Sequence, residues 1–206
     1  MLRMTARLRR ARRTSRWSAP LLAAPVLLLL AAACGGSTEA ELRDSDEFFF
    51  TQTFGDLREE AATARSEGKL GMLLFFKSDA CPYCLHMHHK VLADRKVQEW
   101  YSPRFTSIAV DIHGDVELTD FDGITLPSKV FSDHRQIFWT PVVAFLDLDG
   151  NELYRYPGMI RTSEEMLLVG EYIEGGHYLD LEYRIFAAQR GMTGDSSMRT
   201  PGETAE

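Results

Sequence analysis

Two cysteines separated by two residues follow closely on an unbroken apolar run, and this arrangement limits the possible folds of the 206-residue chain more than any other feature. The run over residues 70–76 has the length and composition of a central strand that is covered on both faces. Cys81 and Cys84 come next, and Pro82 stands where the first turn of a helix tolerates proline. The pattern predicts a buried strand that delivers a cysteine pair to the N-terminus of a helix.

The first 33 residues have the composition of a secretory signal. They contain seven arginines and no acidic residue, and residues 19–33 form an uncharged, leucine-rich run of fifteen residues. That run is shorter than the roughly 20 apolar residues that a membrane-spanning helix needs. We therefore predict a signal peptide over residues 1–33, with a permanent membrane anchor as the alternative.

The end of this segment raises the question of lipidation. The sequence from Ala31 to Cys34 resembles the cleavage box of bacterial lipoproteins, which implies a lipid on Cys34 and attachment to a membrane. Ala31 and Ala33 also suit the ordinary signal peptidase, which would release a soluble protein. Residues 34–47 are small, polar and acidic and predict a flexible tether, residues 48–190 the folded domain, and residues 191–206 a disordered tail.

Charge and cysteine content narrow the function further. Beyond residue 33 the chain carries 16 basic and 30 acidic residues, a net charge of −14, which argues against a nucleic-acid partner. With Cys34 set aside, Cys81 and Cys84 are the only cysteines of the exported part. Two cysteines do not build a disulfide scaffold, and their spacing closes no long loop. The cysteine pair is therefore predicted to take part in a reaction rather than to stabilise the fold.

Periodicity and turn signals give an order of elements. Helices are predicted at 53–67, 82–93, 97–101, 128–137, 162–174 and 178–189, strands at 69–77, 105–112, 142–146 and 152–156, and an acidic loop at 111–126. A parallel strand–helix–strand unit is thus followed by an antiparallel hairpin and a capped helix. This is the order of the thioredoxin fold, an α/β fold with a central mixed β-sheet flanked by helices.

The position of the pair at a helix N-terminus assigns a role to each cysteine. Unsatisfied backbone N–H groups stabilise an anion there, so Cys81 is expected to have a lowered pKa and to act as the nucleophile. Cys84, one turn further on, is expected to be buried and to act as the resolving thiol. Residues predicted to support the site are Pro82, Tyr83 and Lys77, while Asp79 would oppose the thiolate.

A second element of the site is the dipeptide Thr140-Pro141, immediately before an apolar strand. Proline would normally disrupt a strand, and a cis peptide bond at its entrance explains the position. In thioredoxin-like proteins this loop lies against the cysteine pair and offers backbone groups to a bound polypeptide. Trp139 is predicted either to extend that substrate surface or to belong to the core.

Three histidines close to the cysteines require a metal site to be considered. His88 lies four residues after Cys84, so Cys81, Cys84 and His88 are the candidate ligands. Structural zinc usually needs four ligands from separated segments, and no second CxxC or distant histidine pair follows. A metal site is therefore the alternative, and solvent-facing or rim histidines are the simpler interpretation.

Several motifs together carry a resemblance to the SoxW-type periplasmic thioredoxins. They are Leu73-Leu74-Phe75-Phe76, Cys81-Pro82-Tyr83-Cys84 with Met87-His88, Val110-Asp111-Ile112-His113-Gly114-Asp115, Asp120-Phe121-Asp122-Gly123, Thr140-Pro141 and Tyr156-Pro157-Gly158. The resemblance covers roughly residues 53–190. It differs from cytosolic thioredoxin in the Pro82-Tyr83 dipeptide and in Phe75, which replaces a buried aspartate six residues before the first cysteine. The second difference leaves the route of proton transfer at Cys84 open.

The resemblance implies an exported thiol-disulfide oxidoreductase with no cofactor beyond the Cys81-Cys84 disulfide. Its implied partners are protein disulfide substrates and a membrane electron donor of thiol-disulfide type, and the implied location is the periplasm. The resemblance also implies a connection with sulfur-compound oxidation. Reduction of periplasmic disulfides is the leading interpretation. A disulfide oxidase or isomerase, a metal-binding module and a non-catalytic interaction domain are the alternatives.

Overall fold

The computed structural model describes residues 41–192. The predicted signal peptide over residues 1–33, the lipidation of Cys34 and the tail from residue 193 onward lie outside the described residues. None of the helices in the part of the chain that the structure describes is long and apolar enough to cross a membrane.

A four-stranded mixed sheet forms the centre of the molecule. Its strands are β1 (Gly71–Lys77), β2 (Phe105–Asp111), β5 (Val142–Leu146) and β6 (Glu152–Pro157), in the spatial order β2-β1-β5-β6. β1 and β2 are parallel, whereas β5 is antiparallel to both β1 and β6. Because β1 is covered on both faces, its residues from Gly71 to Phe76 are all buried, as the apolar run predicts.

Residues 41–192 contain seven α-helices: α1 (Ser45–Phe48), α2 (Leu57–Ser66), α3 (Pro82–His86), α4 (Arg95–Tyr101), α5 (Ser128–His134), α6 (Ser163–Glu174) and α7 (Tyr183–Gln189). A π-helical turn over Met87–Val91 continues α3, and a short 3₁₀ helix covers His177–Leu179. The helix predicted at 53–67 begins later, because the Asp56 side chain accepts the backbone N–H groups of Arg58 and Glu59. The predicted thioredoxin fold, an α/β fold with a mixed central sheet flanked by helices, is confirmed.

The sheet separates two cores of different composition. On the face we call the aromatic face, Cys84 packs among rings, which are those of Phe49, Phe50, Phe75, Tyr101, Phe105, Phe145, Tyr156, Tyr172, Tyr183 and Phe186. On the opposite face, the aliphatic face, Phe76 and Phe131 pack among mainly aliphatic residues, which include Leu57, Met72, Leu74, Ile108, Val110, Leu118, Val142, Ala144 and Leu146. Alternate side chains of β1 therefore pack in different cores.

The segment that the sequence assigns to a tether is partly folded. Residues 41–51, the N-terminal strap, follow the surface of α4 and the sheet: Arg43 N–H donates to Ala93 O, and Thr51 N–H donates to Ser107 O. Phe49 and Phe50 at its end are buried in the aromatic face. Because these two rings anchor the polar residues before them, residues 41–47 pack on the domain that was predicted to begin at residue 48.

The prediction of an acidic loop over residues 111–126 is wrong in part. Within it β3 (Glu117–Thr119) and β4 (Thr125–Pro127) form a two-stranded antiparallel hairpin. Its turn is closed locally, because Asp120 and Asp122 accept backbone N–H groups through their carboxylates at 2.8 and 2.9 Å. Leu118 on the hairpin is buried in the aliphatic face, and this packing is what a charge-based interpretation of the sequence missed.

Candidate active site

β1 and α3 place the two cysteines at one edge of the sheet. After Lys77 the chain turns through Ser78, and Cys81 N–H donates to Ser78 O at 3.0 Å. Cys81 is the N-cap of α3, and Pro82 occupies the first helical turn as predicted. The five residues after the strand thus set both the start of the helix and the orientation of the thiol.

Cys81 is half-buried and is a free thiol. Its sulfur accepts the backbone N–H of Cys84 at 3.2 Å, the capping role that an oxygen fills in most helices. Burial by itself raises the pKa of Cys81. Hydrogen bonds from the Cys84 thiol, the Thr140 side chain and the backbone N–H groups of Cys84 and Tyr83 outweigh burial, so the pKa is lowered from its ordinary value.

Cys84 is also a free thiol, but it is only 2% exposed. Burial raises its pKa to about 11, and donation of its proton toward Cys81 acts in the same direction. The two cysteines therefore have opposite shifts from one shared interaction. The hydrogen bond stabilises the thiolate of Cys81 and keeps Cys84 protonated.

The peptide bond between Thr140 and Pro141 is cis, which confirms the prediction from the sequence. Pro141 is buried at the start of β5, and the Thr140 carbonyl lies 3.7 Å from Cys81 Sγ and accepts its thiol proton. Pro141 O in turn accepts the backbone N–H of Gly158, at the end of β6. The loops that precede β5 and follow β6 are therefore held together beside the pair.

The charged residues near the pair neutralise each other. Lys77, at the end of β1, forms an ion pair with Asp79 at 2.7 Å, and this contact lowers the pKa of the Asp79 carboxyl. The two charges that were expected to act on the thiolate in opposite directions are thus joined to one another. The Cys81 thiolate depends on hydrogen bonds rather than on a neighbouring cation.

Exposed aromatic residues lie within the cysteine motif and directly before Thr140, the two segments that meet at the half-buried thiol. Tyr83 inside the motif is 60% exposed, and Trp139 next to Thr140 is 53% exposed, so Trp139 is a surface residue rather than part of the core. Phe138, which the sequence analysis did not select, is 65% exposed. Its position directly before Trp139, in a segment with no helical or strand period, is the signal that could have identified it.

The loop after β6 closes the other side of the site. His86 lies on the exposed side of α3, and its Nε2 is 3.1 Å from the carbonyl oxygen of Arg161. Glu165 accepts the backbone N–H of Arg161 at 2.8 Å and the Tyr156 hydroxyl at 2.7 Å. The predicted capping contact, from Glu165 N–H to the Thr162 side chain, is present at 3.2 Å.

The alternative metal site is not assembled. His88 is turned toward the N-terminal strap, where Nδ1 is 3.0 Å from Ser45 Oγ and Nε2 is 3.0 Å from Asp46 Oδ1. Within residues 41–192, no three His, Cys, Asp or Glu side chains converge to hold a metal ion. The geometry thus does not support joint ligation by Cys81, Cys84 and His88.

The arrangement can carry out thiol-disulfide exchange. It combines an accessible thiol with a lowered pKa, a buried second thiol within hydrogen-bond distance, and a neighbouring carbonyl group on an exposed aromatic surface.

Comparison with solved structures finds several proteins that are similar to this chain. A thioredoxin-fold protein from Helicobacter pylori is similar in structure, with a TM-score of 0.50 and 20% sequence identity over 60% of this chain and 86% of its own. A thioredoxin from Thermus thermophilus has a TM-score of 0.42 and 20% identity over 69% and 95% of the two chains. The reduced C-terminal domain of Neisseria meningitidis DsbD has a TM-score of 0.40 and 16% identity over 54% and 88%.

Among curated protein sequences, none matches this chain. The profile of the thioredoxin-like domain matches residues 57–174, which include both cysteines, the cis-proline and the four strands of the central sheet. These residues are more than half of the sequence, and the chain belongs to the family of thioredoxin-like domains.

Proposed function

We propose that the protein is a thiol-disulfide oxidoreductase that reduces disulfides of other exported proteins through the Cys81/Cys84 couple. The observation that carries this proposal is the pair of opposite pKa shifts at two cysteines joined by a hydrogen bond. A thiolate at Cys81 attacks a substrate disulfide, and the mixed disulfide that forms is released when Cys84 attacks Cys81.

The surroundings of the pair favour a polypeptide substrate. Thr140 and Pro141 offer backbone groups next to Cys81, and the exposed rings of Tyr83, Phe138 and Trp139 provide an apolar surface. An extended chain that carries a disulfide could lie on this surface. A small disulfide such as that of glutathione would use only part of it.

The cellular setting of the protein is also part of the proposal. The composition of residues 1–33 supports export, and Cys34 would be the site of lipid attachment at the cell envelope. A membrane dithiol donor would return the pair to its reduced state. The link to sulfur-compound oxidation, from the resemblance to SoxW-type proteins, belongs to the same proposal.

The reduction potential of the pair is the first measurement to make. The full chain, with Cys34→Ser to remove the third thiol, is purified in mild detergent and equilibrated with glutathione buffers before alkylation of free thiols. A potential near that of thioredoxin, about −270 mV, supports a reductase, whereas a value near −120 mV identifies an oxidant. Failure of Cys81 and Cys84 to form a disulfide at any poise contradicts both directions.

A further inference from the structure

Among the groups of residues 41–192 that interact with the thiol of the resolving cysteine, Cys84, there is no acid or base to receive its proton. Cys84 must lose a proton before its sulfur can attack the mixed disulfide on Cys81. The groups that interact with its thiol are Cys81, the Thr140 side chain and the backbone of Ser78. A hydroxyl can pass a proton on but cannot hold it near neutral pH, so none of these groups is a final acceptor.

One row of residues crosses the sheet on the side where Cys84 packs. In register, Ala109 of β2 lies beside Phe75 of β1, Phe75 beside Val143 of β5, and Val143 beside Tyr156 of β6. Three of these four side chains cannot ionise. Phe75 is fully buried, and Phe50 of the N-terminal strap stacks on it with ring centroids 5.9 Å apart, which fills the space beside it with a second ring.

The fourth residue of the row, Tyr156, can ionise, but its hydroxyl already donates a hydrogen bond to another side chain. The Tyr156 hydroxyl donates to Glu165, and burial together with this contact raises the pKa of Tyr156. Four further tyrosines of the same core also have raised pKa values through burial and stay protonated near neutral pH; they are Tyr101, Tyr154, Tyr172 and Tyr183. A protonated tyrosine cannot accept a proton from a thiol.

The charged and titratable side chains on the elements next to Cys84 form contacts with other partners. Lys77 pairs with Asp79 at the end of β1, and the two ring nitrogens of His88 contact Ser45 and Asp46 of the strap. His86 is two residues from Cys84, close to the opposite side of α3, and its Nε2 contacts Arg161 O. Across residues 41–192, no carboxylate, imidazole or amine makes a hydrogen bond to Cys84 Sγ.

We propose that the proton of Cys84 is accepted by the leaving thiolate of the substrate, rather than by a side chain of this protein. The inference rests on the proposed exchange at Cys81 and Cys84. In the step, Cys84 Sγ forms a bond to Cys81 Sγ, and the bond between Cys81 Sγ and the substrate sulfur breaks. The electron pair of that bond goes to the substrate sulfur, which takes the Cys84 proton and leaves as a neutral thiol.

This route selects a class of substrate. In ordinary exchange, a leaving thiol of lower pKa departs faster. Here the leaving sulfur must also bind a proton, which a basic alkyl thiolate does well and an acidic aromatic thiolate does poorly. Disulfides between ordinary cysteine residues are therefore the substrates that this pocket favours, and activated or acidic disulfides lose their usual advantage.

The test compares two probes on the full chain with Cys34→Ser. Cys81 is joined at acidic pH either to glutathione, an alkyl thiol, or to 5-thio-2-nitrobenzoate, an acidic aromatic thiol. A rapid jump to pH values from 6 to 8 then starts resolution. Formation of the Cys81-Cys84 disulfide is followed by quenched alkylation and mass spectrometry.

For glutathione we expect a resolution rate that changes less than about threefold over this range, because the proton stays within the reacting pair. For the aromatic probe we expect an increase of about tenfold per pH unit, because Cys84 must first ionise to solvent. An increase of tenfold per unit for both probes assigns the proton to solvent, and a flat profile for both assigns it to an internal base. Either result overturns the inference while leaving the exchange itself intact, whereas no Cys81-Cys84 disulfide from either probe also contradicts the proposed function.

A substitution adds a second readout. Phe75→Asp places a carboxylate in the core where Cys84 packs, and Phe75→Asn places there a side chain of the same shape that cannot accept the proton. At pH 7 we expect Phe75→Asp to resolve the aromatic probe at least about tenfold faster than Phe75→Asn, within the usual range for a positioned base. Equal rates in two folded variants would contradict the inference, and if the buried position does not tolerate either change, the two-probe comparison decides.

Discussion

The two faces of the central sheet share the same strands but differ in what they bury. Leu73 and Phe75 point into the aromatic face, which holds the thiol pair, whereas Met72, Leu74 and Phe76 point into the aliphatic face, which holds no thiol among the described residues. Because neighbouring residues of a strand point to opposite faces, a single buried strand supports chemistry on one side and packing alone on the other. Substitutions on the two faces should therefore separate activity from stability.

The largest expected effect is on the aromatic face. Cys81→Ser removes the thiolate and should abolish reduction of a protein disulfide, with little change in the free energy of unfolding because the replaced sulfur is half-buried. Cys84→Ser should instead trap a mixed disulfide at Cys81. Turnover by Cys81→Ser, measured with a fluorescent protein disulfide, would contradict the assignment of the nucleophile.

On the aliphatic face the effect should fall on stability. Phe131 is fully buried and stacks on Phe76 with ring centroids 6.2 Å apart. Phe131→Ala should cost about 3–5 kcal/mol of unfolding free energy in urea and leave the pH dependence of Cys81 alkylation unchanged. Phe54→Ala, at a fully exposed position, is the matched control and should leave both unchanged. A shifted alkylation profile in folded Phe131→Ala would show that the two faces are coupled.

A smaller effect tests the hydrogen bonds that stabilise the thiolate. Contact with the Thr140 side chain lowers the pKa of Cys81, so Thr140→Val should raise that pKa. At a fixed pH below this pKa the thiolate fraction then falls, and the midpoint of iodoacetamide alkylation moves to higher pH. Thr119→Val, on the hairpin and bonded to Thr125, should leave the midpoint in place. An unchanged midpoint in Thr140→Val would leave the Cys84 thiol and the backbone N–H groups of Cys84 and Tyr83 as the causes of the lowered pKa.

The smallest effect is expected at the ion pair beside the aliphatic face. Arg135 and Asp120 are 2.6 Å apart, and both side chains are about four-fifths buried. Asp120→Asn keeps the turn contact and removes the charge, so it should cost about 1 kcal/mol, less in high salt, with no change in reduction potential. Asp149→Asn, in an exposed pair with Arg65, is the control. A loss that is independent of salt would show that the hydrogen bond, not the charge, matters.

Much of the fold can be predicted from local patterns. The apolar run identifies β1, the Asp-Gly turn at Asp149 and Gly150 identifies the hairpin of β5 and β6, and Thr162 with Glu165 identifies the start of α6. The same holds for the centre of the site, because proline at Pro82 and Pro141 has few allowed positions. These signals depend on the residues of one short segment.

The parts that the sequence analysis missed depend on distant partners. The π-helical turn at Met87–Val91, the strap that begins before Phe48, and the β3–β4 hairpin all show a polar or ambiguous pattern by themselves. Each contacts residues from elsewhere in the chain. His88 of the π-helical turn contacts Ser45 and stacks on Phe50 of the strap. Phe50 also stacks on Phe75, and Leu118 of the hairpin is buried in the aliphatic face. Periodicity in a short window does not report such contacts.

The sequence by itself determined which chemistry is available: two cysteines at a helix N-terminus after a buried strand, and a proline that faces them. The tertiary structure decided how that chemistry is tuned. It joined Lys77 to Asp79 and turned His88 toward the strap. It also placed Cys84 in the same core as a row of side chains without a carboxylate. The physical reason is that a pKa depends on burial and on the groups within a few ångströms, and residues far apart in the sequence supply both.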